Sequence, residues 1–144
     1  RSPIKEISKL YESEKIWDSQ IVKPDNKLFK GIKSKKFEIV AEFDLTNTSA
    51  SKFGFQVVNK TIAYHVKSQF LLNESLKPDA SNHIKVRVLV DWGQLEVFAN
   101  NGIFSYSEQF AFSPDSRTSV SLFTDGDIQL ISMEFHEISR TWKE

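Results

Sequence analysis

The stretch Ile84-Lys85-Val86-Arg87-Val88-Leu89-Val90-Asp91-Trp92-Gly93-Gln94-Leu95-Glu96-Val97-Phe98-Ala99-Asn100-Asn101-Gly102 decides how this chain is read. Ile84, Val86, Val88 and Val90 fall on every second position, with His83, Lys85, Arg87, Leu89 and Asp91 on the alternate ones. A strand turns successive side chains to opposite faces, so the alternation predicts a strand with one buried and one wet face. Trp92-Gly93 then reads as a tight turn, in which glycine supplies the unusual backbone angle. Leu95, Val97 and Ala99 continue the apolar side, with Gln94, Glu96 and Phe98 opposite. Asn100-Asn101-Gly102 signals a second hairpin turn. Strands joined by such short turns run antiparallel.

The same period extends outward. Phe37, Ile39, Ala41, Phe43 and Leu45 alternate with Glu38, Glu42 and Asp44. Phe53, Phe55 and Val57 form the next strand pattern, Asn59-Lys60 a turn, and Ile62, Tyr64 and Val66 the return. Phe70-Leu71-Leu72 reads as a short strand. Phe104, Tyr106 and Phe110 mark another, with a bulge or bend near Glu108. Ser119 to Thr124 is a short strand, and Asp125-Gly126-Asp127 turns the chain into Ile128 to Ile138. Apolar parity changes there between Leu130 and Ile131, which predicts a β-bulge. Ile7, Leu10, Tyr11 and Glu14 have helical spacing, but the run is short and poorly capped, so the N-terminal segment is read as strands and loops wrapping an edge. Many short strands with frequent turn signals predict an all-β fold: one domain over residues 1–144, an antiparallel two-sheet β-sandwich of the concanavalin-like jelly-roll kind.

Composition narrows the function. The chain has 144 residues, enough to bury a core without covalent staples. Lys plus Arg number 19 and Asp plus Glu 19, so no global field draws nucleic acid or anionic lipid, and neither is expected as a partner. There is no Cys, which removes disulfides, thiolate nucleophiles and zinc–thiolate sites. No apolar run approaches the ~20 residues of a membrane span. The 12 Phe against 5 Gly favour pleated, half-buried surfaces.

The hairpin is the most informative place for chemistry. With Trp92-Gly93 as its turn, Asp91 opposes Gln94, Leu89 opposes Glu96 and Arg87 opposes Phe98. Arg87, Asp91, Gln94 and Glu96 therefore project from one face, with Arg87 diagonal to Glu96. Two carboxylates, a guanidinium and an amide beside the Trp92 indole can bind vicinal hydroxyls and the apolar face of a sugar ring. A solvated sheet face with cross-strand ion pairs gives the same pattern and needs no ligand. Asp91 and Glu96 as a glycosidase pair would have to flank a bond at about 5–9.5 Å with one pKa raised, which spacing alone does not supply, so no catalytic residue is assigned. His65, His83 and His136 share no ligand spacing and are read as surface or packing residues, so neither metal nor cofactor is expected. Lys33, Lys35 and Lys36 are read as a solvated cluster.

The segment Val86 to Gly102 resembles the signature of the C-terminal β-sandwich of glycoside hydrolase family 32, the family of invertases, levanases and inulinases. Other segments agree in order: Arg1 to Ile7, Phe37-Glu38-Ile39 with Ala41-Glu42-Phe43, Phe53-Gly54-Phe55, Ile62-Ala63-Tyr64, and Met133 to Ile138 with Trp142. The chain departs from the family pattern at Tyr64-His65, at Asn73-Glu74 and at Gly93. The catalytic motifs of the family's propeller do not occur in it. The resemblance thus implies a non-catalytic accessory module of a longer β-fructosidase whose propeller lies outside this chain. It further implies binding of the terminal fructose of levan or inulin through Arg87, Asp91, Trp92, Gln94 and Glu96, with Tyr64 and Asn100 as further contacts. The alternative is a purely structural domain packed on the propeller or mediating oligomer contacts. An extracytoplasmic location, secreted, periplasmic or at the cell surface, follows from the family alone.

Overall fold

A computed structural model describes residues 11–34, 36–57, 60–91, 94–100, 104–109 and 118–138. Every regular element among them is a strand. In chain order these are β1 (Tyr11–Trp17), β2 (Gln20–Val22), β3 (Lys33–Ser34), β4 (Lys36–Asp44), β5 (Lys52–Val57), β6 (Lys60–His65), β7 (Phe70–Leu71), β8 (Glu74–Ser75), β9 (His83–Asp91), β10 (Gln94–Ala99), β11 (Phe104–Gln109), β12 (Thr118–Thr124) and β13 (Ile128–Ile138).

They form two antiparallel sheets. The first runs β1-β13-β4-β9-β10-β11, with β2 also paired to β13; the second runs β3-β12-β5-β6-β7-β8. The expected two-sheet sandwich is what forms. The inward-facing residues follow the period: Phe37, Ile39, Ala41 and Phe43 of β4, and Ile84, Val86, Val88 and Val90 of β9, are all buried. From the second sheet they meet Phe53, Phe55, Val57, Ile62, Tyr64 and Leu122. Aromatic contacts link the layers: the Phe43 and Phe53 ring centroids are 4.7 Å apart, and Phe29 packs edge-on against both Phe55 and Phe135. Trp17 stacks on Phe29 at 4.9 Å, which ties the edge strand β1 to the core. Trp142 and the first ten residues lie outside the described residues.

Gly54 is a position where no side chain fits. A Cβ there would sit 1.8 Å from the Ile62 carbonyl oxygen of the paired strand β6. The predicted bulge in β13 is present: Leu130 pairs with Phe43 and Ser132 with Glu42, so Ile131 is the extra residue. It lets Leu130 and Met133 both reach the core despite their opposite parity.

Three local expectations are corrected. Val57 pairs with Lys60, so Lys60 already belongs to β6 rather than to a turn. Pairing of β10 with β11 is regular through Leu95↔Glu108 and Gln94↔Gln109, so no bulge lies at Glu108. Lys36 is not solvated: it is 7% exposed, with its ammonium 3.8 Å from Asp91 Oδ1.

Candidate functional site

Strand β9 sits between β4 and β10 near the middle of the first sheet, and its outer face carries the candidate residues. The hairpin register is the one read from the sequence: Asp91↔Gln94, Leu89↔Glu96 and Arg87↔Phe98. The strand period then sets Arg87, Asp91, Gln94 and Glu96 on one outer face. Trp92 and Gly93 lie outside the described residues.

The charges on this face are partnered differently from the expectation. Arg87 is ion-paired through Nε with Glu38 of β4 rather than with Glu96. Glu38 stands opposite Leu89 across the β4–β9 ladder and so lies diagonal to Arg87. The guanidinium also lies 5.7 Å from the centroid of the Phe98 ring, a cation–π distance. Glu38 is nearly covered while Arg87 keeps 46% of its side chain exposed. Asp91 is paired with Lys36 across the β4–β9 ladder, and its side chain is 44% exposed. Gln94 Nε2 approaches Glu96 Oε2 at 3.5 Å, a long and weak contact. The face therefore offers an anchored guanidinium and two partly exposed carboxylates, with Phe98 and Leu89 as half-buried apolar ground between them.

Tyr64 and Asn100 do not contribute to this face. Tyr64 belongs to the second sheet, is 1% exposed, and donates its hydroxyl to the Leu76 carbonyl at 2.7 Å. Burial pushes its phenol up to about 12, so it stays a neutral donor. Asn100 is 8% exposed, and its side-chain amide is bonded at both ends. Its Oδ1 accepts the Lys85 amide at 3.0 Å and its Nδ2 donates to the Lys77 carbonyl at 3.0 Å. It holds the left-handed backbone region at φ 48°, which asparagine tolerates well. Both residues are braces. His65, Asn73 and Glu74, where the chain departs from the family pattern, are exposed on or beside the second sheet's outer strands.

Several residues escaped the sequence reading. Glu42 accepts from His83 Nδ1 at 2.7 Å, and Asp44 lies 3.7 Å from His83 Nε2. Glu42, followed by the nearby Asp44 charge, raises the His83 pKa above its ordinary 6.5. Lys60 bridges to Glu108 at 2.7 Å, and Tyr106 donates to the same carboxylate, so β6 of one sheet is clamped to β11 of the other. The Lys60 bond, then the Tyr106 bond, holds the Glu108 carboxyl below its usual range. The alternation placed Glu38 and Glu42 on a wet face, but only the β4–β9 register brings them to Arg87 and His83. Among the described residues, no three His, Asp or Glu side chains converge as a metal site. No helix there is long and apolar enough to cross a membrane.

The same two-sheet architecture recurs as one part of larger chains. Superposition on an exo-inulinase from Aspergillus awamori gives a TM-score of 0.66 at 15% identity, covering 94% of this chain and 31% of that one. An Aspergillus kawachii β-fructofuranosidase complexed with glycerol gives 0.69 at 15% identity, over 95% of this chain and 30% of that one. At such identity the likeness establishes the fold. In sequence, a levanase of Bacillus sp. (strain L7) is 30% identical over 142 aligned residues, covering 81% of this chain and 15% of the relative. A levanase of Bacillus subtilis (strain 168) is 22% identical, covering 99% of this chain and 25% of its own length. The chain thus spans a quarter or less of these relatives. Residues 6–137 match the family described as glycosyl hydrolases family 32 C terminal, and the chain belongs to it.

Proposed function

We propose that this chain is the non-catalytic accessory module of a fructan-hydrolysing enzyme and binds the terminal fructose of levan or inulin. Arg87, Asp91, Gln94 and Glu96 supply the polar contacts, with Trp92, which follows Asp91 in the sequence, as the ring platform. The observation that carries this reading is the outer face of the β9–β10 hairpin. There a guanidinium held by Glu38 shares the face with the partly exposed carboxylates of Asp91 and Glu96. Donors in a fixed fork and acceptors on both flanks match vicinal hydroxyls, and such a shallow site implies affinity of roughly micromolar to millimolar strength. Polymeric substrates would suit an extracytoplasmic parent enzyme, secreted, periplasmic or at the cell surface.

Calorimetry against fructose, levan and inulin tests the reading. Saturable heat with levan or inulin that is lost in both Asp91→Ala and Glu96→Ala supports it. Saturable heat unchanged in both variants would move the site elsewhere.

A second reading, a packing domain for the catalytic propeller, draws on a separate observation. Ile16 and Ile21, on β1 and β2 at the far edge of the first sheet, are 60% and 50% exposed. Large apolar side chains left open at an edge suit a covering partner. Co-expression with the propeller distinguishes the two: loss of association in Ile16→Ser with sugar binding intact assigns that edge to packing alone.

A further inference from the structure

The end of the first sheet opposite the hairpin tip carries a cleft of about 500 Å³. One wall is the sheet itself, through Glu42 of β4 and Lys85 of β9, which are paired across the ladder. The other wall is the segment Ser75 to Asp79, which leads from β8 toward β9. Six residues separate Lys85 from Asp91 along the strand, so the cleft lies about 20 Å from the hairpin tip on the same outer face.

The second wall is held from behind. Leu76 is 3% exposed; its amide donates to the Gln69 carbonyl at 2.7 Å and its carbonyl accepts the Tyr64 hydroxyl. The Lys77 carbonyl takes the Asn100 amide. Asp79 closes the far end: its amide donates to the His83 carbonyl at 3.0 Å, and its carboxylate accepts the amides of Ser81 and His83. A loop pinned at Leu76, Lys77 and Asp79 gives a preformed wall, which lowers the ordering cost of binding. Tyr64 and Asn100 acquire a purpose here that they lack at the hairpin.

The lining is chemically mixed. Among the described residues the ammonium groups of Lys77 and Lys85 have no ion-pair partner, so both are donors open to a ligand. Glu42 is engaged by His83 on one oxygen, and its other oxygen remains an acceptor. The backbone amides of His83 and Ser81, with the nearby His83 and Lys85 charges, hold the Asp79 carboxyl below its usual range. Pro78 contributes a half-buried apolar surface between these groups. Two cations against two carboxylates leave no net field to hold an anion, whereas a neutral polyhydroxylated ring uses donors, acceptors and an apolar platform together.

We infer that this cleft is a second carbohydrate subsite, taking a neutral furanose or pyranose unit between Lys77, Lys85, Glu42 and Pro78. The inference extends the sugar-binding reading but stands on separate residues. A bound oligosaccharide running along the outer face of β9 would engage both ends of it.

Amide chemical shifts of the isotopically labelled chain, titrated with fructose, with a short β-fructan oligosaccharide and with inorganic phosphate, separate the outcomes. Saturable shifts at Ser75 to Asp79 and at Lys85 with either sugar are expected. Lys85→Met keeps the aliphatic stem and should weaken those shifts at least tenfold while leaving any at Gln94 to Glu96 unchanged. Sugar shifts confined to the hairpin overturn the inference and leave the proposed function standing. Shifts confined to the cleft support the inference and remove the hairpin as the site. Shifts at the cleft with phosphate alone, or none with either sugar, overturn it. The wild-type map decides the matter even if a variant folds poorly.

Discussion

The two ends of the outer face of β9 are built in opposite ways. At the hairpin end, polar side chains stand on a regular two-strand ladder, and their partners lie on the neighbouring strand β4. At the cleft end, an irregular segment is fastened to both sheets by a buried hydrogen bond from Tyr64 and a partly buried one from Asn100. A ladder positions groups through its register, and exchanging one surface group leaves the rest in place. A pinned loop depends on each pin, because a lost pin leaves a buried polar group without a partner. The same sheet therefore offers a tolerant surface at one end and a brittle one at the other.

That contrast can be broken by measurement. Asn100→Ala should have the largest effect, because it strands the Lys85 amide and the Lys77 carbonyl together. A loss of about 3 kcal/mol is expected, with a fall in melting temperature of roughly 10 °C. A loss below ~1 kcal/mol would mean that the loop re-forms its bonds with water and is not brittle. Tyr64→Phe removes one buried hydroxyl from Leu76 and should cost about 1–2 kcal/mol. Its amide shift changes should concentrate at residues 75–79, and changes spread evenly over the second sheet would contradict the bracing role. Glu38→Ala at the hairpin end leaves Arg87 half exposed and still able to reach water, so about 1 kcal/mol is expected in chemical denaturation. Glu96→Gln should fall within ~0.5 kcal/mol of the parent. If Glu96→Gln proved costlier than Glu38→Ala, the Arg87 partner drawn from the β4–β9 register would be wrong.

The smallest effect concerns pH. The folded pKa of His83 is raised by Glu42 and then by Asp44, so its protonated form is favoured in the native state. Its contribution to stability is fully present below the unfolded value of 6.5 and is lost as pH rises through the higher folded value. Stability of the parent, less that of His83→Gln, should therefore decline between mildly acidic and mildly alkaline pH. A difference that is flat, or that grows with pH, would contradict the pairing.

Much of this was legible in the sequence for a definite reason. The β9–β10 face followed from parity and a two-residue turn, both local properties, and its register was read correctly to the residue. The bulge in β13 was legible because a parity change within one strand is also local. The partner of Arg87 was not, since Glu38 lies 49 positions away and reaches it only through the β4–β9 ladder. Lys36 was misplaced for the same reason: a charged residue in a Lys cluster reads as solvated until a neighbouring strand covers it. Tyr64 and Asn100 were read as surface contacts because residue type shows hydrogen-bonding capacity but not which side of a sheet uses it.

By itself the sequence determined the period, the turns and thus the strands, together with which side chains share a face of each one, because those depend on neighbours two to six positions apart. The tertiary structure alone decided which carboxylate meets which cation. It also decided that residues 75–79 are pinned into the wall of a cleft, and that two apparent ligand contacts serve as braces. Those outcomes depend on strand order and on the stacking of two sheets, and long-range pairings of that kind leave no periodic trace in the chain.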